Sequence, residues 1–318
     1  MSYDVVALGE LLIDFTENGR SEQDNPLFEA NPGGAPCNVL AMLKKLDRSC
    51  AFIGKVGDDI FGRSLQSTVS EAGIDVSALI LDKSAHTTLA FVKTFANGDR
   101  DFSFYRDPGA DMLLRAEELP EDMLKSTRIF HFGTLSMTHE GVREATKKAV
   151  SIAKEAGALI SFDPNLRPSL WETLEAAKEQ ISWGLSQCDI LKIADNEIEF
   201  MTEETDFERG AALLKKDYPN IRILNVTAGA EGSYSFYDGM TVFVPGFTLG
   251  GTIETTGAGD TFCGCVLDFV LKNGVDGLGQ EQLTEMLRFA NAAAYLVTTK
   301  KGAIRSMPER ARIEMICQ

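Results

Sequence analysis

Ala158-Leu159-Ile160-Ser161-Phe162-Asp163 and Asp189-Ile190-Leu191-Lys192-Ile193 flank a helical pattern at 171–184. Both runs are largely apolar at successive positions, not at every second one. A strand with one solvated face alternates, whereas a strand covered on both faces does not. The stretch therefore reads as two parallel strands joined by a helix, inside a sheet with helices on both sides. The pattern continues outwards in both directions. Val5–Gly9, Ala51–Val56, Ile129–Gly133 and Ile221–Val226 are further strand candidates. Helical patterns lie near 36–46, 61–72, 140–156, 207–217 and 281–298. The expected fold is α/β, a doubly wound and mostly parallel sheet in a single domain over 1–318. No internal repeat or low-complexity linker interrupts it.

Two stretches break the alternation. Thr88–Phe95 and Asp101–Tyr105 are β-rich runs around Asn97-Gly98, a hairpin signal because both turn residues tolerate positive φ. Residues 12–32 have no helical period. Segments 12–32 and 87–107 together predict a small β lid beside the main sheet. The plainer alternative is a decorated edge of that sheet.

Bulk properties narrow the function. The 318 residues carry 31 basic and 47 acidic side chains, a net charge of −16, and 44% are hydrophobic. Such a chain can bury a sizeable core. Its surface repels phosphate backbones and anionic lipid, so neither nucleic acid nor a membrane is an expected partner. The N-terminus reads as a first strand and not as a signal peptide, and no window approaches a membrane-spanning run. The six cysteines form no CxxC pair. Reduced thiols in a cytoplasmic protein are the expectation. Cys263 and Cys265 look metal-like, but residues i and i+2 point to different faces of a helix, so core packing is expected there. His86, His131 and His139 do not cluster, and His131 sits inside an apolar strand as a core residue would.

The strongest chemical signal is Thr255-Thr256-Gly257-Ala258-Gly259-Asp260-Thr261-Phe262. Phe262, Cys265, Val266, Phe269 and Val270 then repeat at helical spacing, so the small residues stand at a helix N-terminus. Free backbone N–H groups and the positive end of the helix dipole bind anions there. Asp260, in the first turn, would project beside the anion, where a carboxylate can take the proton of an incoming hydroxyl. Helix capping is the plain reading of GAGD alone; the whole eight-residue string favours the catalytic one. No GxxxxGK[ST] string occurs, and Phe262 stands where a dinucleotide fingerprint needs its third glycine.

Other candidates lie at predicted strand ends, where such sheets bind ligands. Gly33-Gly34-Ala35-Pro36-Cys37-Asn38 leads into a helix; its glycines bring backbone close to a ligand or simply make a tight loop. Asp14 would accept bonds from sugar hydroxyls or cap a turn. Asp163-Pro164-Asn165-Leu166-Arg167 ends a strand, and Arg167 suits a phosphate or a sugar oxygen. Glu197 and Glu199 would hold magnesium through water, or sit on a solvated helix face. Thr227-Ala228-Gly229-Ala230-Glu231-Gly232 suits a nucleotide passing over backbone, or is a strand-to-strand turn.

Together these strings resemble the ribokinase/PfkB family of carbohydrate kinases, in the family's order from Val5 to about Pro308, with Gly57-Asp58-Asp59-Ile60-Phe61-Gly62 among them. Phe104-Tyr105-Arg106-Asp107-Pro108-Gly109-Ala110-Asp111-Met112-Leu113 is similar to the fructokinase subgroup. The resemblance implies a ribokinase-like fold and ATP-dependent phosphorylation of a sugar, D-fructose to D-fructose 6-phosphate, with magnesium. It implies Asp260 as base and the amides of Gly257, Ala258 and Gly259 as anion hole. Asp14, Gly33, Gly34 and Asn38 would hold the sugar, and Arg106 and Arg167 would fix sugar and phosphates. Thr227, Gly229 and Gly232 would line the phosphates, and Asn291 the adenine. The lid often doubles as a dimer interface in this family.

Two positions depart from the family pattern. In its NxxE motif Glu197 matches the Glu but Ala194 stands for the Asn; a shifted register pairs Asn196 with Glu199. Glu254 replaces the usual Asp of a potassium site whose other ligands would be Thr256, Val297, Lys300, Gly302 and Ser306. Kinases for 2-keto-3-deoxygluconate, ribose or a nucleoside share the same motifs. A non-catalytic sugar or nucleotide sensor would not need Asp260 and its loop.

Overall fold

The computed structural model of the chain describes residues 2–94 and 100–318. In chain order the strands are β1 (Tyr3–Leu8), β2 (Leu12–Arg20), β3 (Pro26–Gly33), β4 (Cys50–Gly57), β5 (Asp75–Asp82), β6 (Leu89–Thr94), β7 (Arg100–Tyr105), β8 (Thr127–Gly133), β9 (Leu159–Asp163), β10 (Ile190–Ala194), β11 (Ile223–Thr227), β12 (Gly232–Tyr237) and β13 (Met240–Pro245). The helices are α1 (Ala35–Lys45), α2 (Ile60–Glu71), α3 (Glu121–Lys125), α4 (Glu140–Glu155), α5 (Leu174–Gln187), α6 (Asp195–Thr202), α7 (Phe207–Asp217), α8 (Ala258–Asn273), α9 (Gln280–Thr298) and α10 (Arg310–Cys317).

Nine strands form one sheet in the order β13-β12-β11-β10-β9-β8-β1-β4-β5. The seven from β11 to β5 run parallel, and β12 and β13 turn back antiparallel at one edge. Successive side chains of a strand point to opposite faces, and β1 shows both faces covered. Val5 and Ala7 pack with Leu40 of α1, Phe262 and Val266 of α8, and Leu287 of α9. Val6 and Leu8 pack with Ala145 and Ala149 of α4 and with Ile181 of α5. All four β1 residues are fully buried, as successive apolar positions predict. The paired runs at 158–163 and 189–193 are β9 and β10, parallel neighbours joined through α5.

Residues 12–33, 89–94 and 100–105 do not decorate the main sheet. They form a separate four-stranded sheet, β3-β2-β6-β7. β6 and β7 pair antiparallel as the sequence suggests, while Asn97-Gly98 lies outside the described residues. Phe15 stacks on Phe91 at 4.9 Å, and Phe28 and Tyr105 meet Phe91 edge-on at 5.4 and 5.3 Å. Phe15 also meets Phe61 of α2 at 5.6 Å, tying the small sheet to the body. Cys263 and Cys265 are buried in the core under α8. His131 is buried with its Nδ1 2.9 Å from the Ser161 hydroxyl, and burial pushes its pKa down to about 3. Among the described residues no helix is long and apolar enough to cross a membrane.

Candidate active site

The carboxyl ends of β9, β10 and β11, the head of α8 and the small sheet enclose a cavity of about 650 Å³. Asp14, Gly34, Asn38, Arg167, Thr227, Gly229, Thr256, Gly257, Gly259 and Asp260 all line it. Residues spread over most of the chain length are thus gathered at one edge of the sheet.

The head of α8 opens onto this cavity. Gly257 takes the cap position at φ 78°, a left-handed conformation that glycine adopts without strain. A side chain there would also meet the Ala303 methyl. The Ala258 N–H bonds back to the Thr255 carbonyl at 3.2 Å, and the Thr261 N–H makes the first helical bond, to Gly257 at 2.8 Å. The N–H groups of Gly259 and Asp260 therefore have no partner within the helix and point out of its positive end. Gly259 also lets a cation approach. A β-carbon there would lie 3.0 Å from Lys192 Nζ.

Lys192 rises from β10 into a cluster of three carboxylates. Its Nζ lies 3.1 and 3.2 Å from the two oxygens of Asp163, and both side chains are buried. Burial works against the ammonium charge, but Asp163, Glu197 and Asp260 outweigh it and raise the Lys192 pKa. Glu197 lies behind this pair and does not line the cavity. Its two oxygens accept the N–H groups of Leu166 at 2.7 Å and Ala194 at 2.8 Å. Burial raises its pKa, against the pull of Lys192. Asp195 and Asn196 face the cavity at this edge instead.

Asp260 is held from across the site. Asn38 Nδ2 donates to its Oδ2 at 2.7 Å, and the Asn38 amide oxygen is buried without a partner among the described residues. Burial pushes the Asp260 pKa up to about 6; Asp163 adds to this, while Asn38, Lys192 and Arg167 oppose it. A carboxylate so tuned is ionised near neutral pH yet basic enough to accept a proton.

The small sheet closes the other side. Leu12 pairs with Gly33 and Asp14 with Asn31. A side chain on Gly33 would strike the Asp14 carboxylate, so the glycine makes room for Asp14 at the cavity wall. Arg106 does not reach this cavity. Its guanidinium is clamped by Asp111 at 2.6 and 2.8 Å, by Thr138 at 2.8 Å and by the Leu135 carbonyl at 2.9 Å. It lines an adjoining cavity of about 400 Å³ that shares Phe104 with the first.

On the far side, the Thr227–Gly232 segment is the turn between β11 and the antiparallel β12. Thr227 and Gly229 face the cavity and Gly232 opens β12 behind them. Asn291 of α9 anchors this corner. Its oxygen accepts from the Ser233 hydroxyl at 2.8 Å, and its nitrogen donates to the carbonyls of Val244 at 3.0 Å and Pro245 at 3.3 Å.

Glu254 sits behind the head of α8. Its oxygens accept the Thr256 hydroxyl at 2.5 Å and the Gly302 N–H at 3.2 Å. Lys300 donates to the Val297 carbonyl at 3.2 Å, and the Ser306 hydroxyl to the Lys301 carbonyl at 2.5 Å. The longer glutamate side chain therefore still delivers its carboxylate to this loop.

Residues 2–310 match the model of the pfkB family carbohydrate kinases. The chain belongs to that family. The kinase is 42% identical over 311 residues to fructokinase-1 of Zea mays, covering 97% of this chain and 96% of that protein. A crystal structure of fructokinase with bound ATP from Xylella fastidiosa superposes with a TM-score of 0.88 at 29% identity, covering 99% of this chain and 98% of that one. A fructokinase double mutant from Vibrio cholerae O395, in its fructose, ADP and potassium ion bound form, gives a TM-score of 0.87 at 27% identity, covering 100% and 99%.

Two cavity residues of this kinase escape the motif reading. Lys192, which the motifs use only to set the register of the NxxE pattern, is otherwise signalled by a charge inside an apolar strand run, Ile190-Leu191-Lys192-Ile193, and Glu10 by a charge between Gly9 and Leu11-Leu12-Ile13. Both line the cavity and both are buried.

Proposed function

We propose that the kinase transfers the γ-phosphoryl group of ATP to the 6-hydroxyl of D-fructose, with Asp260 as the base. The observation that carries this is the placement of a buried, ionisable carboxylate at the open head of α8, beside Asn38 and within one cavity with Asp14 and Arg167. The sugar hydroxyl oxygen attacks the γ-phosphorus in line, and the bond from that phosphorus to the β–γ bridging oxygen breaks. The hydroxyl proton passes to Asp260, and ADP leaves with the electron pair. The amides at the head of α8 stabilise charge on the transferred group. Asp14, Asn38 and the backbone at Gly33–Gly34 hold the sugar. Arg167 and Lys192 face the phosphates, and Thr227, Gly229 and the corner anchored by Asn291 take the nucleotide.

Magnesium, when bound, would supply positive charge that offsets the negative charge of the phosphates. The cavity edge at Asp195 and Asn196, with Asp163 buried against Lys192 beside it, suits a water-mediated ion, and Glu197 holds the loop behind it. The all-oxygen set of Glu254, Thr256, Val297, Lys300, Gly302 and Ser306 suits potassium. The small sheet acts as the lid that keeps the site dry. Leu27, Phe28 and Tyr105 leave apolar surface exposed on it, which supports pairing of two copies through the lid; sedimentation velocity showing only monomer would remove that pairing. Six free cysteines suit a cytoplasmic setting.

The names of the relatives and the fructose-bound neighbour support fructose over other acceptors. An ADP-release assay over fructose, ribose, 2-keto-3-deoxygluconate and adenosine tests the reading. Fructose is expected to give the highest kcat/KM. A clearly higher value for another acceptor overturns the substrate, and no turnover with any of them favours a sensor.

A further inference from the structure

Glu10 has no role in the mechanism above, yet it occupies an unusual place. It follows β1 between the buried residues Gly9 and Leu11, is itself only 4% exposed, and lines the cavity. Burying a carboxylate is costly unless it does something specific. Its Oε1 accepts the N–H of Ala35 at 2.8 Å.

Ala35 is the first residue of α1, whose cap position is Gly34, and α1 has no side-chain cap of its own. The glycine is imposed from outside. Its φ is +128°, and a β-carbon there would lie 2.4 Å from the Glu10 carbonyl oxygen. The Glu10 backbone thus excludes serine, threonine or aspartate from the cap position, and the Glu10 side chain instead takes the otherwise free N–H of the first helical residue. A carboxylate at that point also faces the positive end of the α1 dipole. One turn further along α1, Asn38 donates to Asp260.

We infer that Glu10 is a positioning residue for phosphoryl transfer, capping α1 from strand β1 so that Asn38 is held against Asp260 and the Gly33–Gly34 backbone against the sugar. This rests on the reading of Asp260 as base. The charged and titratable groups around Glu10 are Asp111 and Arg106, paired with each other just after β7, and the Cys37 thiol in the first turn of α1. Burial pushes the Glu10 pKa up to about 7, with Asp111 adding and Arg106 opposing. Protonation leaves a carbonyl oxygen that still accepts from Ala35. The inference therefore assigns the work to the bond and not to the charge, and Glu10→Gln separates the two.

Loss of a helix cap costs about 0.5–2 kcal/mol, which corresponds to roughly 2- to 30-fold in an equilibrium or rate. Glu10→Ala is expected to lower kcat/KM for fructose within that range. KM for fructose rises, KM for ATP stays as in the wild type, and the acid limb of the pH profile moves upwards as Asn38 loosens from Asp260. Glu10→Gln keeps the acceptor and is expected to stay within about threefold of wild type, with the acid limb unmoved. A Glu10→Ala enzyme with a lower Tm but unchanged KM for fructose and an unchanged limb would make the residue merely structural and overturn the inference. If Glu10→Ala does not fold, Glu10→Gln decides: constants within about threefold of wild type support the bond, and a larger loss overturns it. Asp260→Asn, assayed in parallel, reports the base separately. Should it retain activity, the base reading fails, while the KM for fructose of the Glu10 variants still tests the cap.

Discussion

Replacing Asn38 by alanine tests the coupling between the Gly33–Asn38 segment and the proposed base, Asp260. Asn38 contributes one charge-assisted hydrogen bond of 2.7 Å to a buried carboxylate. Bonds to charged groups are worth about 1.5–3 kcal/mol net, and one pKa unit corresponds to about 1.36 kcal/mol. The bond favours the ionised form, so its loss raises the Asp260 pKa by about 1–2 units, from about 6. The base acts only when ionised, so activity is lost as pH falls through that value. The assay is kcat/KM for fructose at saturating ATP between about pH 5 and pH 9.5, which reports the base in the enzyme free of sugar. The wild-type acid limb is expected near pH 6, and that of Asn38→Ala near pH 7–8. At about pH 6.5 the variant loses roughly tenfold more than at pH 9, where both carboxylates are ionised and only the lost sugar contact remains. An acid limb within about 0.3 unit of wild type would refute the reasoning, because then either Asn38 does not hold Asp260 or Asp260 is not the titrating group.

Lys192→Met leaves Asp163 buried without its partner, which typically costs about 3–5 kcal/mol; urea unfolding measures it, and a loss under about 1 kcal/mol would show that the pair is not a structural necessity. Exchanging potassium for tetramethylammonium at constant ionic strength is expected to lower kcat or raise KM for ATP, since Glu254 reaches the loop around Gly302; unchanged constants would leave Glu254 a structural variant. Fructose is expected to slow amide exchange in Leu89–Val92 of β6, and protection confined to the main sheet would count against a closing lid.

The buried strands were legible because burial on both faces writes an apolar run. β9 and β10 begin and end within a residue of the runs that predict them. β5 was not legible: Asp75–Asp82 is an edge strand, half-exposed along much of its length, and its apolar run, Ala78–Leu81, spans only four residues. The β12–β13 hairpin was obscured in a similar way at the opposite edge, where alternation and turn glycines hide a pair of short strands. The head of α8 was legible because glycine, a first-turn carboxylate and a following helical period coincide within one string. Partnerships were not. Nothing local in the sequence says that Asp111 takes the guanidinium of Arg106, that Glu197 spends its oxygens on two backbone amides, or that Glu10 caps a helix beyond the next two strands. Each of these follows from chain segments that meet only after folding.

Asp260 is proposed as the group that accepts the sugar proton. The most direct test is the steady-state rate of Asp260→Asn with fructose and ATP at about pH 8, where the wild-type carboxylate is ionised. Asparagine keeps the shape and can still meet Asn38, but it cannot take a proton. The expected result is a kcat lower by about 10²–10⁴ with KM for ATP little changed. A kcat within about threefold of wild type would contradict the account, leaving Asp260 a residue that shapes the head of α8 without taking part in the chemistry.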